Sequence, residues 1–306
     1  MRAAIAIILG VSLGFSAVIP AYADTESDLL QAAMTRYAPA IVGIKMVLHT
    51  DTGSGAPSDV PVETQGVVVS KSGLILISAL IFSNSESALA GMAGGESANS
   101  HDATPKDIKI VFPPDATEYD AFLAAKDSQL GVAFLQVQKL GDLKIAPVDF
   151  TGAAAPVIGE PVIMVSRLLK GYDYAPYFET ARVSGHVTVP RDSWLLDNSI
   201  GTLGMPVISL TGGPVGILTT IRPGVSDQAS QMAMAYSMFM RLMTGTSGGS
   251  KTFVAPGSAI SASIVQAEKS AAALEASGGA ATKPAPATKP APAVKPAPGK
   301  IAPKGK

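Results

Sequence analysis

Gly201-Thr202-Leu203-Gly204-Met205-Pro206 runs into Val207-Ile208-Ser209-Leu210, then Thr211-Gly212-Gly213-Pro214, then Val215 to Thr220. Glycines at 201 and 204 mark a tight turn, and the apolar runs on either side of Gly212-Gly213-Pro214 read as a hairpin. Outward from this stretch the same grammar repeats. Ala40 to Leu48, Gly66 to Ser70 and Leu74 to Ile77 read as strands, the last two joined by a turn at Ser72-Gly73. Ile108 to Phe112, Glu118 to Ala124 and Gly131 to Val137 follow, then Gly159 to Val165, Glu179 to Val189 and Phe253 to Pro256. Short strands separated by turn signals indicate barrels or sandwiches. His49 to Glu63 and residues 83–106 read as loops. Glu26 to Tyr37 has helical spacing, with Leu29, Leu30, Ala33 and Met34 on one side. A closing helix to Ala276, capped by Ser258, is expected to bury Ile260, Ile264, Ala267 and Ala271.

The turn at Leu203 resembles the G-x-S-G-G-P motif of trypsin-like serine proteases of the HtrA (Deg) type, with leucine in place of the serine. Lys71 to Phe82 (K-S-G-L-I-L-I-S-A-L-I-F) resembles the family's K-D-G-Y-I-L-T-N-N-H-V-V segment, and Leu80 falls on the histidine. Asp127 to Leu135 resembles D-x-x-x-D-L-A-V-L, and Gly131 falls on the aspartate. The resemblance continues through Phe253-Val254-Ala255-Pro256, which is similar to the family's F-A-I-P strand. It covers residues 26–275, and no PDZ-like region follows. It implies an all-β fold of two antiparallel six-stranded β-barrels, with helices at both ends. The expected divisions are a first barrel over 24–147, a second over 148–256 and a helix over 257–276.

A serine nucleophile needs a base within hydrogen-bond reach and a third group to orient that base. Leu80 cannot accept a proton, Gly131 cannot orient an imidazole and Leu203 cannot attack a carbonyl. The expectation is therefore a pseudoprotease with no catalytic residue, no metal and no cofactor. The alternative is an active peptidase of the same type using other residues, for which His49, His101 and His186 are the available histidine bases. Gly245-Thr246-Ser247-Gly248-Gly249 spells the protease string, but the strand pair that should follow is missing, so it reads as connector. In the family, backbone amides of the nucleophile turn form the oxyanion hole. Gly201, Thr202 and Leu203 are therefore a candidate relic oxyanion turn, able to hold a carboxylate or a peptide carbonyl, beside the plainer reading as a tight turn.

The chain has 306 residues and a formal charge of −1, unevenly spread. Residues 24–280 carry sixteen basic and twenty-four acidic side chains, whereas 281–306 carry six lysines and no acid. An acidic body argues against nucleic acid as partner. Arg2, an apolar run from Ala3 to Val18 and Ala21-Tyr22-Ala23 before Asp24 form the plan of a secretory signal over 1–23. Export to the periplasm or beyond is expected, and the absence of cysteine rules out both disulfides and a thiol nucleophile. Residues 277–306 form a Lys/Pro/Ala-rich tail in which Ala-Thr-Lys-Pro-Ala-Pro occurs twice and Ala-Val-Lys-Pro-Ala-Pro once. Such a tail is expected to be disordered and extended. Its Lys283, Lys289 and Lys295 suit an anionic envelope polymer. Residues 226–244 hold Met232, Met234, Met238, Met240 and Met243; ordinary packing is the first reading, an adaptable partner surface the second.

Taken together, these features imply an exported non-catalytic protease homologue that binds a peptide or protein. A third reading is an envelope tether acting through the Lys-Pro tail.

Overall fold

The computed structural model describes residues 22–50, 58–82, 103–189, 191–198, 201–219 and 253–277. Among them are twelve strands in two closed, antiparallel, six-stranded barrels. The first barrel contains β1 (Ile41–Thr50), β2 (Ser58–Val68), β3 (Leu74–Ser78), β4 (Thr104–Val111), β5 (Glu118–Asp127) and β6 (Val132–Val137). Its strand order is β1-β2-β3-β6-β5-β4, closed by β4 on β1. The second contains β7 (Pro161–Arg167), β8 (Pro176–Val187), β9 (Ser193–Leu196), β10 (Pro206–Ser209), β11 (Pro214–Thr219) and β12 (Phe253–Pro256). Its order is β10-β11-β12-β9-β8-β7, closed by β7 on β10. Helix α1 (Tyr22–Tyr37) precedes the first barrel and α2 (Gly257–Ala276) follows the second. No described helix is long and apolar enough to cross a membrane.

Strand periodicity explains how one sequence builds both barrel interior and barrel seam. Successive residues of a strand face opposite sides. On β3, Ile75 and Ile77 join the interior of the first barrel, while Leu74 and Leu76 join the core shared with the second barrel and α2. On β6, Ala133 and Leu135 face inward, while Val132 and Phe134 face the shared core. Both faces are buried, so these strands are apolar without alternation. Each fully buried Ile, Leu or Phe contributes roughly 1.5–3 kcal/mol.

A polar seam fixes one side of the contact between the barrels. Arg167 at the end of β7 is buried; its Nε and Nη2 donate to Ala38 O at 3.1 and 3.0 Å, and its Nη1 donates to Tyr174 O at 3.0 Å. Burial pushes its pKa below the usual guanidinium value. Ser166 Oγ donates to Gln65 Oε1 at 2.7 Å, and Gln65 Nε2 donates to Arg167 O. Tyr174 lies so close to Gly43 that a Cβ there would stand 2.4 Å from its ring.

Several local expectations are corrected. The stretch from His49 to Glu63 is not a loop at either end: β1 runs to Thr50 and β2 starts at Ser58. The rungs Thr50↔Ser58 and His49↔Asp59 carry polar side chains because this end of the hairpin faces water. Likewise β4 begins at Thr104, inside the segment read as a loop. Strand β9 has no counterpart in the sequence reading. Ser258 does not cap α2; Pro256 occupies that position, without a side-chain hydrogen bond, and Ser258 lies in the first turn. The buried face of α2 is the expected one: Ile260, Ile264, Ala267 and Ala271. On α1, Leu30, Ala33 and Met34 pack on the shared core, but Leu29 is exposed. Residues 1–21, the Met-rich stretch 226–244, the string 245–249 and residues 278–306 lie outside the described residues, as does His101.

Candidate functional site

Three segments far apart in sequence meet between the barrels. Leu80 lies in a 3-10 turn, Ala79–Phe82, directly after β3. Gly131 ends the turn between β5 and β6, and its carbonyl accepts from Ala79 N at 2.9 Å. The turn before β10 arrives from the other barrel: a Cβ on Gly204 would stand 2.7 Å from Ser78 N. Gly204 also has φ +88°, a left-handed conformation that costs a side-chain-bearing residue about 1–2 kcal/mol. Glycine is thus required there twice, by conformation and by the backbone of the first barrel. Gly201 is left-handed as well, at φ +65°, with Met164 filling the space on its side-chain side.

The backbone of this turn is tied into the second barrel. Gly204 N donates to Leu218 O at 2.8 Å, Leu218 N to Met205 O at 2.9 Å, and Met205 N to Thr202 O at 3.2 Å. Leu80, Gly131, Thr202 and Leu203 are all half-buried, and Gly201 is exposed. Leu203 packs against the shared core. The segments carrying Leu80, Gly131 and Leu203 therefore approach one another at one junction. Their side chains supply an apolar surface and no titratable group.

Two further residues complete the junction, and sequence reasoning missed both. Thr219, at the end of β11, donates from Oγ1 to Leu130 O at 2.9 Å, crossing between the barrels. Arg191, in the β8–β9 connection, donates from Nη2 to Thr219 Oγ1 at 3.1 Å. Among the described residues other than its chain neighbours, a Cβ on Gly131 would meet only that same Oγ1 within 4 Å, at 3.7 Å. Burial is the main influence on Arg191 and lowers its pKa; Asp127 opposes the shift. Asp127 itself accepts from Gln129 N and Leu130 N at 3.0 and 2.9 Å, and from Ser263 Oγ of α2 at 2.8 Å.

The described histidines lie on strands: His49 on β1, which corrects the loop expected there, and His186 on β8, within the stretch read as a strand. His49 Nδ1 lies 2.6 Å from Asp59 Oδ1 on the β1–β2 hairpin. His186, inside β8, pairs with Asp192 and stacks on Trp194, ring centroids 4.1 Å apart. Each imidazole is engaged by a carboxylate of its own hairpin. Among the described residues no group of three or more His, Cys, Asp and Glu side chains is arranged to hold a metal ion.

Two closed antiparallel barrels of six strands, with three convergent segments between them, define the trypsin fold. The chain belongs to the trypsin-like peptidase domain family, whose pattern matches residues 64–217. That span, half of the chain, contains Leu80, Gly131 and Leu203. No curated protein matches the chain.

Proposed function

We propose that the chain is an exported, non-catalytic protease homologue of the HtrA type that binds a peptide or protein in the cleft between its barrels. The observation that carries this reading is the meeting of three segments whose residues at the catalytic positions are Leu80, Gly131 and Leu203. A triad works because one group accepts the proton that another releases. None of these three side chains exchanges a proton. The half-buried apolar surface of Leu80 and Leu203, beside the turn Gly201-Thr202-Leu203, suits a peptide that presents an apolar side chain and a carbonyl. The secretory plan of residues 1–23 puts this activity in the periplasm or outside the cell. Lys283, Lys289 and Lys295 of the tail would add contact with an anionic envelope polymer.

The active-peptidase reading is tested with casein and fluorogenic peptides. The purified chain is expected to leave both intact, at any pH at which it stays folded. Hydrolysis that survives removal of contaminating proteases would establish the alternative.

A further inference from the structure

Ten large apolar side chains among the described residues are exposed, and four of them, Leu168, Leu169, Tyr172 and Phe178, fall on the β7–β8 hairpin. Beyond its last rung, Arg167↔Pro176, the hairpin carries a tip over residues 168–175, with the 3-10 turn Lys170–Tyr172 inside it. Tyr172 is 70% exposed. We propose that this tip is a membrane-contact element, which places Leu168, Leu169 and Tyr172 in the interface of an anionic bilayer. The proposal goes beyond the peptide-binding reading and does not depend on what the cleft holds.

The tip is anchored with its apolar side chains in water. Asp173 and Tyr174 are both left-handed, at φ +54° and +53°, which is unfavourable for residues with side chains. Such a conformation persists only where its surroundings enforce it. Here the Tyr174 ring is buried against Gly43, and Tyr174 O accepts from Arg167 Nη1. The tip also meets its own hydrogen-bonding needs. The amides of Leu168, Tyr172, Asp173, Tyr174 and Ala175 donate to carbonyls within 168–175, and Lys170 N donates to Glu63 Oε1. Acyl chains offer a backbone nothing to bond with, so a segment that enters lipid must be satisfied internally; a protein partner imposes no such condition. Side-chain chemistry fits the same depth profile. Leucines suit the acyl boundary, and a tyrosine ring and a lysine ammonium on an apolar stem suit the headgroups. Lys170 offsets Asp173 within the tip, so attraction to anionic lipid comes from the six lysines of 281–306, where there is no acid. Residues 278–306 can span up to about 100 Å, enough for these lysines to reach the surface that the hairpin touches. A shallow apolar insertion and a polybasic segment each bind weakly, and together they hold a protein on a membrane.

The test is flotation of the chain from Asp24 onward, its expected exported form, with vesicles of phosphatidylcholine alone and of phosphatidylethanolamine with phosphatidylglycerol. The anionic vesicles are expected to bind more strongly, and L168E/L169E should weaken that binding at least about tenfold, at low and at high salt. Both positions already face water, so the variant is expected to melt at the wild-type temperature. Truncation after Ser277 should weaken binding at low salt only, because salt screens the attraction of lysines to the surface. The chain has no cysteine, so Leu169→Cys gives a single attachment point for an NBD fluorophore. Its emission should shift to the blue and brighten on anionic vesicles. The same label at Ile158→Cys, exposed before the far end of β7, should not change. Absence of vesicle binding, binding undiminished by L168E/L169E, or an unchanged label at position 169 overturns the proposal. So does a vesicle-free dimer that L168E/L169E dissociates, which makes the tip a contact between copies of the chain. None of these outcomes bears on peptide binding in the cleft.

Discussion

The two barrels touch along two seams built on opposite principles. At the Gln65–Ser166–Arg167 seam, buried polar groups meet through directional hydrogen bonds, and Arg167 reaches two backbone carbonyls. At the Ala79–Gly131–Gly204 junction, backbone meets backbone, and the residues aligned with the triad, Leu80, Gly131 and Leu203, are apolar or side-chain-free and half-buried. The first seam excludes water and has every reason to stay shut, because its carbonyls would lose their partners. The second leaves surface accessible where a protease would work. The fold thus keeps the architecture that holds two barrels in register, while positions 80, 131 and 203 at the second junction carry no titratable side chain. On the proposed reading, stability and ligand access fall to different seams.

Breaking the polar seam should have the largest effect. Arg167→Ala removes three donors and leaves Ala38 O and Tyr174 O short of partners; a loss of about 3 kcal/mol or more is expected in chemical denaturation. Gly204→Ala comes next, at about 2–4 kcal/mol, because it adds a Cβ against the Ser78 amide to the strain of φ +88°. Gly131→Ala isolates the strain. Its φ is +70°, but among the described residues the nearest contact of the added Cβ is Thr219 Oγ1 at 3.7 Å, so about 1 kcal/mol is expected. Equal losses at 204 and 131 would remove the claim that the junction is closed by backbone contact at Gly204.

The smallest effect concerns the exposed β1–β2 hairpin. The hydrogen bond from His49 holds the Asp59 pKa below its ordinary value. A depressed carboxylate contributes stability that is fully present above its unfolded pKa, about 4, and is lost as pH falls through the folded value. D59N should therefore lower the Tm slightly near neutral pH and match the wild type in strong acid. A difference that persists at the lowest pH would show that the side chain acts by something other than its charge.

Strands β3 and β6 were legible because both of their faces are buried, which leaves an uninterrupted apolar run. The ends of β1 and β2 were not, since a hairpin facing water carries the same Thr, Asp and Ser as a loop. Four-residue β9 is too short for periodicity to show, and it is held by pairing with β8 and β12. At the site, Leu80, Gly131 and Leu203 could be aligned to a known order of motifs. Arg191 and Thr219 could not. Their contacts span 28 and 89 positions, and nothing local in Pro190-Arg191-Asp192 or Leu218-Thr219-Thr220 distinguishes a cleft residue from a surface one.

The most direct test of the non-catalytic claim is intact-mass analysis of the purified chain after prolonged exposure to a fluorophosphonate. An activated serine loses its proton to a neighbouring base and is phosphonylated; an ordinary hydroxyl is not. The expected spectrum shows only the unmodified mass, for the wild type and for Leu203→Ser alike, since the variant has no base at position 80 and no orienting acid at 131. Stoichiometric addition of one phosphonyl group to the wild-type chain would contradict the account.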